Sequence, residues 1–307
     1  MGISALLKRI YKCRFLYFLV APGLLYFFIF CYIPMGGVLI AFMDYKPFGP
    51  LFSNTWVGLK YFLAFFKSPL LPRLIRNTLI INGWNILIGF PIPIIFAILL
   101  NELRRLKYKK VVQTISYFPH FISWVIVYGL ALNLFSPSFG LVNIIITKLG
   151  GEPINFLMQK SFFVPLVVGS GIFVNYGWGS IIYLAALTGI DQEYYEAAKI
   201  DGANKLRQIW HISLPGMLPI ITLSIIGTLS GILSNDWQQI LIMMGSGNNH
   251  SLLDVGDVID YYVYRIGLID MQYSFSAAAG IMKSIVGLIL ISLANKGAKM
   301  AGQIGVW

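Results

Sequence analysis

Residues 78–110 read TLIINGWNILIGFPIPIIFAILL followed by NELRRLKYKK. The first of these, Thr78–Leu100, carries no charged side chain. It is long enough for a helix to cross the hydrocarbon core of a bilayer, which takes about 20 residues. The stretch behind it packs Arg104, Arg105, Lys107, Lys109 and Lys110 into a short loop. Positive charge in a short loop marks the cytoplasmic side of a membrane. An apolar run closed by such a loop points to an all-α integral membrane protein.

The rest of the chain repeats the pattern. Of 307 residues, 57% are hydrophobic and 11% are charged, where a soluble domain carries about 25% charged residues. Six apolar runs are long enough to cross, at about 16–42, 78–100, 111–135, 162–187, 215–233 and 275–293. The run Leu16–Phe42 is too long for the h-region of a signal peptide, which spans about 7–15 residues, so it belongs to the mature protein. Basic residues gather at Lys8, Arg9, Lys12 and Arg14, at the loop after Leu100, and at Lys199, Lys205, Arg207, Lys296 and Lys299. This bias places both termini in the cytoplasm. Residues 1–307 read as one transmembrane domain, because no internal repeat or low-complexity linker divides them.

The net charge of +11 follows from these flanking residues rather than from a basic, aromatic-interleaved face, so nucleic-acid binding is excluded. Cys13 and Cys31 have neither metal-type spacing nor a disulfide framework. The histidines His120, His211 and His250 have no ligand-like spacing, and no metal site is expected. There is no Gly-x-x-x-x-Gly-Lys-Ser/Thr phosphate loop and no catalytic constellation, so the chain reads as a non-enzyme without a cofactor of its own.

Outside the runs, the segments Asp44–Arg76, Ser136–Ser161 and Asp236–Ser274 are each long enough for short surface helices. The last carries Asp236, Asp254, Asp257, Asp260 and Asp270 beside Tyr261, Tyr262 and Tyr264, and reads either as a partner-docking surface or as a solvated cap. Lys283 lies within the sixth run, where a charge is costly and faces a partner or a cavity, unless it snorkels.

One loop is informative in detail. From Gly189 it reads GIDQEYYEAAKIDG, and it continues to Ile212-Ser213-Leu214-Pro215. Locally it reads as two short helices divided by a glycine turn. Asp191 suits an N-cap, and Glu193 puts negative charge at the positive end of the dipole. Gly202 suits the left-handed position that ends a helix. Such an element, joined to two membrane helices, either transmits a push from a cytosolic partner or lies inertly on the headgroups.

This loop resembles the Glu-Ala-Ala loop of binding-protein-dependent ABC import permeases. Glu196-Ala197-Ala198, three residues, Gly202, nine residues, Ile212, one residue and Leu214-Pro215 match its spacing. Further likeness to the sugar-transporting branch lies in Ala21-Pro22-Gly23, Trp56-Val57-Gly58-Leu59, Asn77-Thr78-Leu79, Ala97 through Glu102, and Pro119. The run Tyr117–Trp124 and the ending Gly305-Val306-Trp307 are similar to its subset for polysaccharides and large oligosaccharides, to which alginate importers belong.

The resemblance implies a type I importer permease with six spans in the bacterial cytoplasmic membrane. It implies a coupling helix within 190–215 that meets an ATPase subunit through Glu196, Ala197, Ala198, Asp201, Gly202, Leu214 and Pro215. It also implies a second permease subunit, expected to be a different chain, two ATPase subunits holding ATP and magnesium, and an extracytoplasmic solute-binding protein. The expected cargo is an oligosaccharide or polysaccharide, with alginate as a candidate; peptide or amino-acid cargo, or a channel or scaffold without an ATPase, are the alternatives.

Sugars need hydrogen-bonding groups and flat aromatic faces. Ser224, Thr228, Gly231 and Asn235 recur at helical spacing in the fifth run, and Gly171, Asn175 and Trp178 do so in the fourth. With His120 and Trp124 of the third run they form a candidate cargo pathway. Small and polar residues also glue membrane helices together, and the sequence leaves both readings open.

Overall fold

The computed structural model describes residues 12–49, 53–103, 105–246, 249–303 and 305–306. Lys8, Arg9 and Arg104 of the basic segments and Trp307 of the C-terminal ending lie outside the described residues. Among the described residues, five continuous helices are long and apolar enough to cross a membrane: α1 (Arg14–Phe42), α3 (Leu71–Asn101), α7 (Lys160–Thr188), α9 (Lys205–Ser230) and α12 (Tyr273–Met300). A sixth apolar stretch is broken into α4 (Leu106–Phe121) and α5 (Trp124–Phe135), which meet at 104°. Short helices complete the chain: α2 (Lys60–Phe66), α6 (Leu141–Lys148), α8 (Gln192–Ile200), α10 (Trp237–Met243) and α11 (Ile259–Tyr264).

Prolines shape the long helices. Pro34, Pro91 and Pro215 each lack the N–H that would bond the carbonyl four residues back. In each case the helix widens just before the proline into a π turn, at Phe28–Tyr32, Asn85–Gly89 and Ile209–Ser213. The wider turn keeps backbone groups bonded where water is absent. Phe90 N–H, for example, donates to the Asn85 carbonyl at 2.8 Å. At Pro119 the chain tightens instead into a 3-10 turn over Phe118–Phe121, and Ile122 and Ser123 are extended. The third run, expected as one helix over 111–135, is therefore two.

Other boundaries differ from expectation in the same physical way. The second crossing helix begins at Leu71 with Pro72 in its first turn, a position that tolerates the missing N–H. Arg73 and Arg76 thus sit on α3 rather than in a loop. The fifth begins at Lys205 rather than near 215, and it ends at Ser230 with Gly231 as its cap.

The chain forms two compact units. One comprises the segment before Ser68 with Ile266–Ile281. In it no side chain of Arg14–Phe27 is buried, as suits a helix whose solvent is lipid. A two-stranded antiparallel pair, Met43–Asp44 with Thr55–Trp56, occupies a segment in which only helices were expected. Phe65 of α2 meets Phe275 edge-on at 6.0 Å. Tyr61 Oη donates to Asp44 Oδ1 at 2.7 Å; burial and that carboxylate push the phenol up to about 12.

The other unit comprises Ser68–Arg265 and Met282–Trp307. Helix α7 runs through its centre against α3, α4, α9 and α10. Ile81, Val127, Phe163, Val167, Ile240 and Val258 pack in one apolar cluster, and Ala97, Leu100, Tyr183, Leu187 and Met217 in a second. A Cβ on Gly177 would lie 2.0 Å from the Ser116 carbonyl oxygen, so α4 and α7 touch backbone to backbone at that point. In the loop after α5, the buried Asn143 donates to the carbonyls of Phe135, Ser136 and Ile154 and accepts from Ile154 N–H.

The acidic segment Asp236–Ser274 is solvated only in part: Asp236, Asp254 and Asp270 are exposed, but others are paired within the chain. Asp257 is fully buried, and its Oδ2 accepts from Arg73 at 3.1 Å and Arg265 at 2.9 Å. Asp254 pairs with Lys160 and Arg73, and the Lys160 ammonium holds its carboxyl below the usual range. The Asp254 and Asp257 carbonyls accept from Asn77, and Thr78 Oγ1 accepts from Ile259 N–H. These bonds fasten the segment to the first turns of α3. Asp260 is met by Lys283, which settles the partner of that membrane lysine.

Candidate functional site

A cavity of about 560 Å³ opens in the larger unit among α3, α7, α9 and α10. Its polar lining comes from Asn85, Asn175, Thr228 and Gln239, and its apolar lining includes Phe90, Tyr176 and Ile182. None of the described residues lining it is acidic. Each polar group is placed by a local feature. Asn85 begins the π turn that precedes Pro91. Gln239 stands in the first turn of α10, which Asp236 caps by accepting from the N–H groups of Gln238 and Gln239. The Gln239 amide then donates to Val167 O at 2.7 Å and Ser170 Oγ at 3.0 Å, which pins α10 to α7.

Five of the sequence candidates gather here. Gly171 and Asn175 of α7 and Thr228 of α9 line the cavity, and Asn175 carries His120 at its edge. Asn175 Nδ2 donates to Gly171 O at 3.0 Å, so its oxygen faces His120 Nδ1 at 3.2 Å. An amide oxygen only accepts, which puts a proton on Nδ1. The imidazole stacks on Trp178 with centroids 4.6 Å apart and planes 2° apart, and Phe121 meets the same indole edge-on.

The remaining candidates are elsewhere. Gly231 and Asn235 do not share the helical face of Ser224 and Thr228, because α9 stops at Ser230. The Asn235 side chain exchanges bonds with Asn82. Trp124 donates from Nε1 to Asp236 Oδ2 at 2.6 Å and packs against the first apolar cluster. Sequence reasoning missed Asn85, Tyr176 and Gln239. Asn85 was detectable as an amide inside an uncharged run six residues before a proline; Gln239 was hidden because the helices expected in Asp236–Ser274 were surface ones, not part of a cavity wall.

The Glu-Ala-Ala loop folds as a capped helix followed at once by a crossing helix. Asp191 accepts from Glu193 N–H at 3.1 Å at the start of α8. At the other end Gly202 has φ +74°, with Ala203 N–H bonded to Ala198 O and Gly202 N–H to Lys199 O. That double bond closes a helix only when the intervening residue is left-handed. Asn204 then caps α9 through Arg207 N–H at 2.9 Å. The second short helix expected in this loop is the first turn of α9 itself. Two contacts hold α8 and the residues leading into it against α9: Tyr195 Oη lies 2.9 Å from Ser213 Oγ, and a Cβ on Gly216 would strike Ile190, just before the α8 cap, at 2.5 Å. Lys205 pairs with Glu102 of the turn after α3 at 2.6 Å.

None of the α8 side chains is buried. Glu196, Ala197, Asp201, Gly202 and Pro215 are exposed, whereas Ala198 and Leu214 are half-buried. Large apolar groups stand in the open around them, with Tyr194 65%, Ile200 87%, Leu206 68% and Trp210 67% exposed.

The family model described as binding-protein-dependent transport system inner membrane component matches residues 89–296. The chain belongs to this family. Among its relatives is the polygalacturonan/rhamnogalacturonan transport system permease protein YteP of Bacillus subtilis (strain 168), 43% identical over 98% of this chain and 93% of that protein. Protein LplB of the same organism is 44% identical over 100% of this chain and 95% of its own length. Among solved structures, a bacterial alginate ABC transporter in complex with alginate pentasaccharide-bound periplasmic protein superposes with a TM-score of 0.86. That match has 36% identity and covers 97% of this chain and 99% of the other. The permease is thus an inner-membrane transport component of an ABC importer and not an enzyme, with the mostly helical fold that its apolar runs and loop anticipated.

Proposed function

We propose that this permease passes an acidic oligosaccharide through the cavity between α3, α7, α9 and α10, driven by ATPase subunits that grip α8. The observation that carries the reading is the lining of that cavity. Amides and a hydroxyl from four helices converge in an otherwise apolar bundle, and no carboxylate stands among the described residues to repel an anionic sugar. Polar groups inside a membrane protein are retained where they line a pathway. Asn85, Asn175, Thr228 and Gln239 supply hydrogen bonds to hydroxyls, while the stacked pair of His120 and Trp178 supplies a flat face at the edge. The cargos of two relatives, polygalacturonan/rhamnogalacturonan and alginate, are uronate-bearing polymers, and galacturonide and alginate oligosaccharides are the two cargo candidates.

Coupling is assigned to α8. Glu196 and Ala197 are open to a partner, and Tyr195 and Ile190 relay displacement of α8 to α9. Glu196 offers the partner a charge-assisted hydrogen bond. The assembly in this reading contains a second, different permease chain, two ATPases that bind ATP and magnesium, and a solute-binding protein outside. Both termini then lie in the cytoplasm. ATP-driven closure of the ATPases moves α8 and turns the pathway outward; hydrolysis resets it.

The test is ATP hydrolysis by the complex in proteoliposomes, with binding protein loaded or unloaded. Oligosaccharides from polygalacturonan or alginate are expected to stimulate hydrolysis, and Glu196→Lys is expected to remove the stimulation while the chain still inserts. Stimulation by peptides or amino acids alone would overturn the cargo assignment, and normal stimulation of Glu196→Lys would overturn the coupling assignment.

A further inference from the structure

Lys283 and Asp260 stand outside the cavity and outside the coupling loop, yet both are largely withdrawn from solvent, with side chains 22% and 14% exposed. A lysine in an apolar helix is retained where it has a task. The bonds around it trace one. Asp260 Oδ1 meets the Lys283 ammonium, and its Oδ2 accepts from Asn235 N–H at 2.7 Å. Asn235 is followed directly by Asp236, the cap of α10. Asn82 of α3 holds the same turn from the other side, donating to Ile232 O at 2.8 Å and reaching Ser234 O and Asn235 Oδ1. Trp124 holds Asp236 through its second carboxylate oxygen. Helix α12 also presses close to the end of α9, since a Cβ on Gly287 would lie 3.0 Å from Ser230 O.

We propose that Lys283 and Asp260 are positioning residues for the cargo pathway: their ion pair fixes the backbone at Asn235 and so holds α10 with Gln239 in the cavity wall. The assignment of a pathway role to that wall rests on the transport reading above; the mechanical link itself does not. The turn 231–236 has no helix or strand to hold it, so its position depends on the groups that grip it. Asn82 grips from α3 and Asp260 from below the cap. Asp260 has only a short helix, α11, to stand on, and the Lys283 ammonium anchors it to the long apolar helix α12. Loss of the lysine leaves Asp260 as an unpaired, nearly buried carboxylate, which swings towards water and releases Asn235.

Two measurements on the full complex decide this. In a chain with Cys13 and Cys31 replaced by serine, Gln239→Cys is alkylated in membranes by a small polar maleimide. Gln239 is 9% exposed, and the thiol at its place is expected to react slowly. Lys283→Met or Asp260→Asn is expected to raise that rate at least ten-fold, with Lys283→Arg and the exchange Lys283→Asp with Asp260→Lys returning it to within about three-fold. The second measurement is uptake of galacturonide and alginate oligosaccharides. Lys283→Met is expected to lower it at least ten-fold in the native background and by less than three-fold in a Gln239→Ala background, because both changes act on one wall. Unchanged reactivity at position 239 in both single variants overturns the proposal, as do fully additive uptake losses. If the native complex takes up neither saccharide, the cargo reading fails, and the thiol reactivity still decides the link.

Discussion

Gly202 shows how much one residue can settle. Its φ of +74° costs a side-chain-bearing residue about 1 kcal/mol, and a β-branched one more. Nothing lies within 4 Å of the position where its Cβ would be, so the cost is conformational alone. Gly202→Ala is therefore expected to keep cargo-stimulated ATP hydrolysis within about three-fold, while Gly202→Val re-aims α8 and reduces stimulation at least ten-fold with normal membrane levels. Gly177 is the opposite case: its φ is ordinary, and the obstacle is the Ser116 carbonyl at 2.0 Å. Gly177→Ala must push α4 off α7, and the expected outcome is loss of the chain from the membrane fraction or a detergent-extracted melting temperature lowered by several degrees. The sequence made Gly202 readable because a helix end has a local signature in Asp191, Glu193 and the glycine itself. It could not reveal Gly177, whose role depends on a backbone about 60 residues away in sequence, brought close only by the packing of α4 on α7.

Among the helices, the legible and illegible parts divide along the same line. Apolar length located the crossing stretches, since a bilayer demands it of any sequence. It did not locate the 104° break between α4 and α5, because Pro119 is compatible with a kink, a straight helix or a break, and extended Ile122 and Ser123 carry no signature of their own. Nor did it show that α9 grows out of the coupling loop without interruption. In the proposed coupling, α8 moves α9 through the Tyr195–Ser213 contact and the packing of Ile190 on Gly216. Breaking the Lys205–Glu102 pair, whose side chains are 57% and 37% exposed, removes a surface contact worth less than about 1 kcal/mol. Glu102→Gln is accordingly expected to leave stimulated hydrolysis within two-fold. Gly216→Val is different, because it drives Ile190 away from α9 at the second of those contacts. There the expectation is retained cargo-free hydrolysis with stimulation lost, measured in the same proteoliposomes; equal loss of both activities would mean that the helix is damaged rather than uncoupled.

At the scale of the whole molecule the question is whether the cavity conducts passively or is driven. The acidic segment that sequence left as either docking surface or cap is tied to the chain's own Arg73, Arg265, Lys160 and Lys283, so the end of the larger unit that carries it is a braced structure. Buried Asp257 is the keystone of that brace, and Asp257→Asn leaves two guanidiniums sharing a neutral amide. The expected cost is on the order of 3 kcal/mol, seen as earlier thermal aggregation in detergent. A braced end suits a machine that moves helices as bodies, and a pump differs from a channel in a way that thermodynamics makes measurable. A channel brings cargo inside to the outside concentration and no further. Accumulation to a hundred-fold excess requires about 2.8 kcal/mol for each molecule moved, which in the proposed reading comes from ATPase partners through α8. Proteoliposomes supplied with ATP on the α8 side and loaded binding protein on the other are expected to accumulate oligosaccharide well above the external level. The same vesicles with Glu196→Lys, or with a non-hydrolysable nucleotide, are expected to show no accumulation. Equilibration to equal concentrations without ATP would identify a channel and remove the reason for α8 to be exposed.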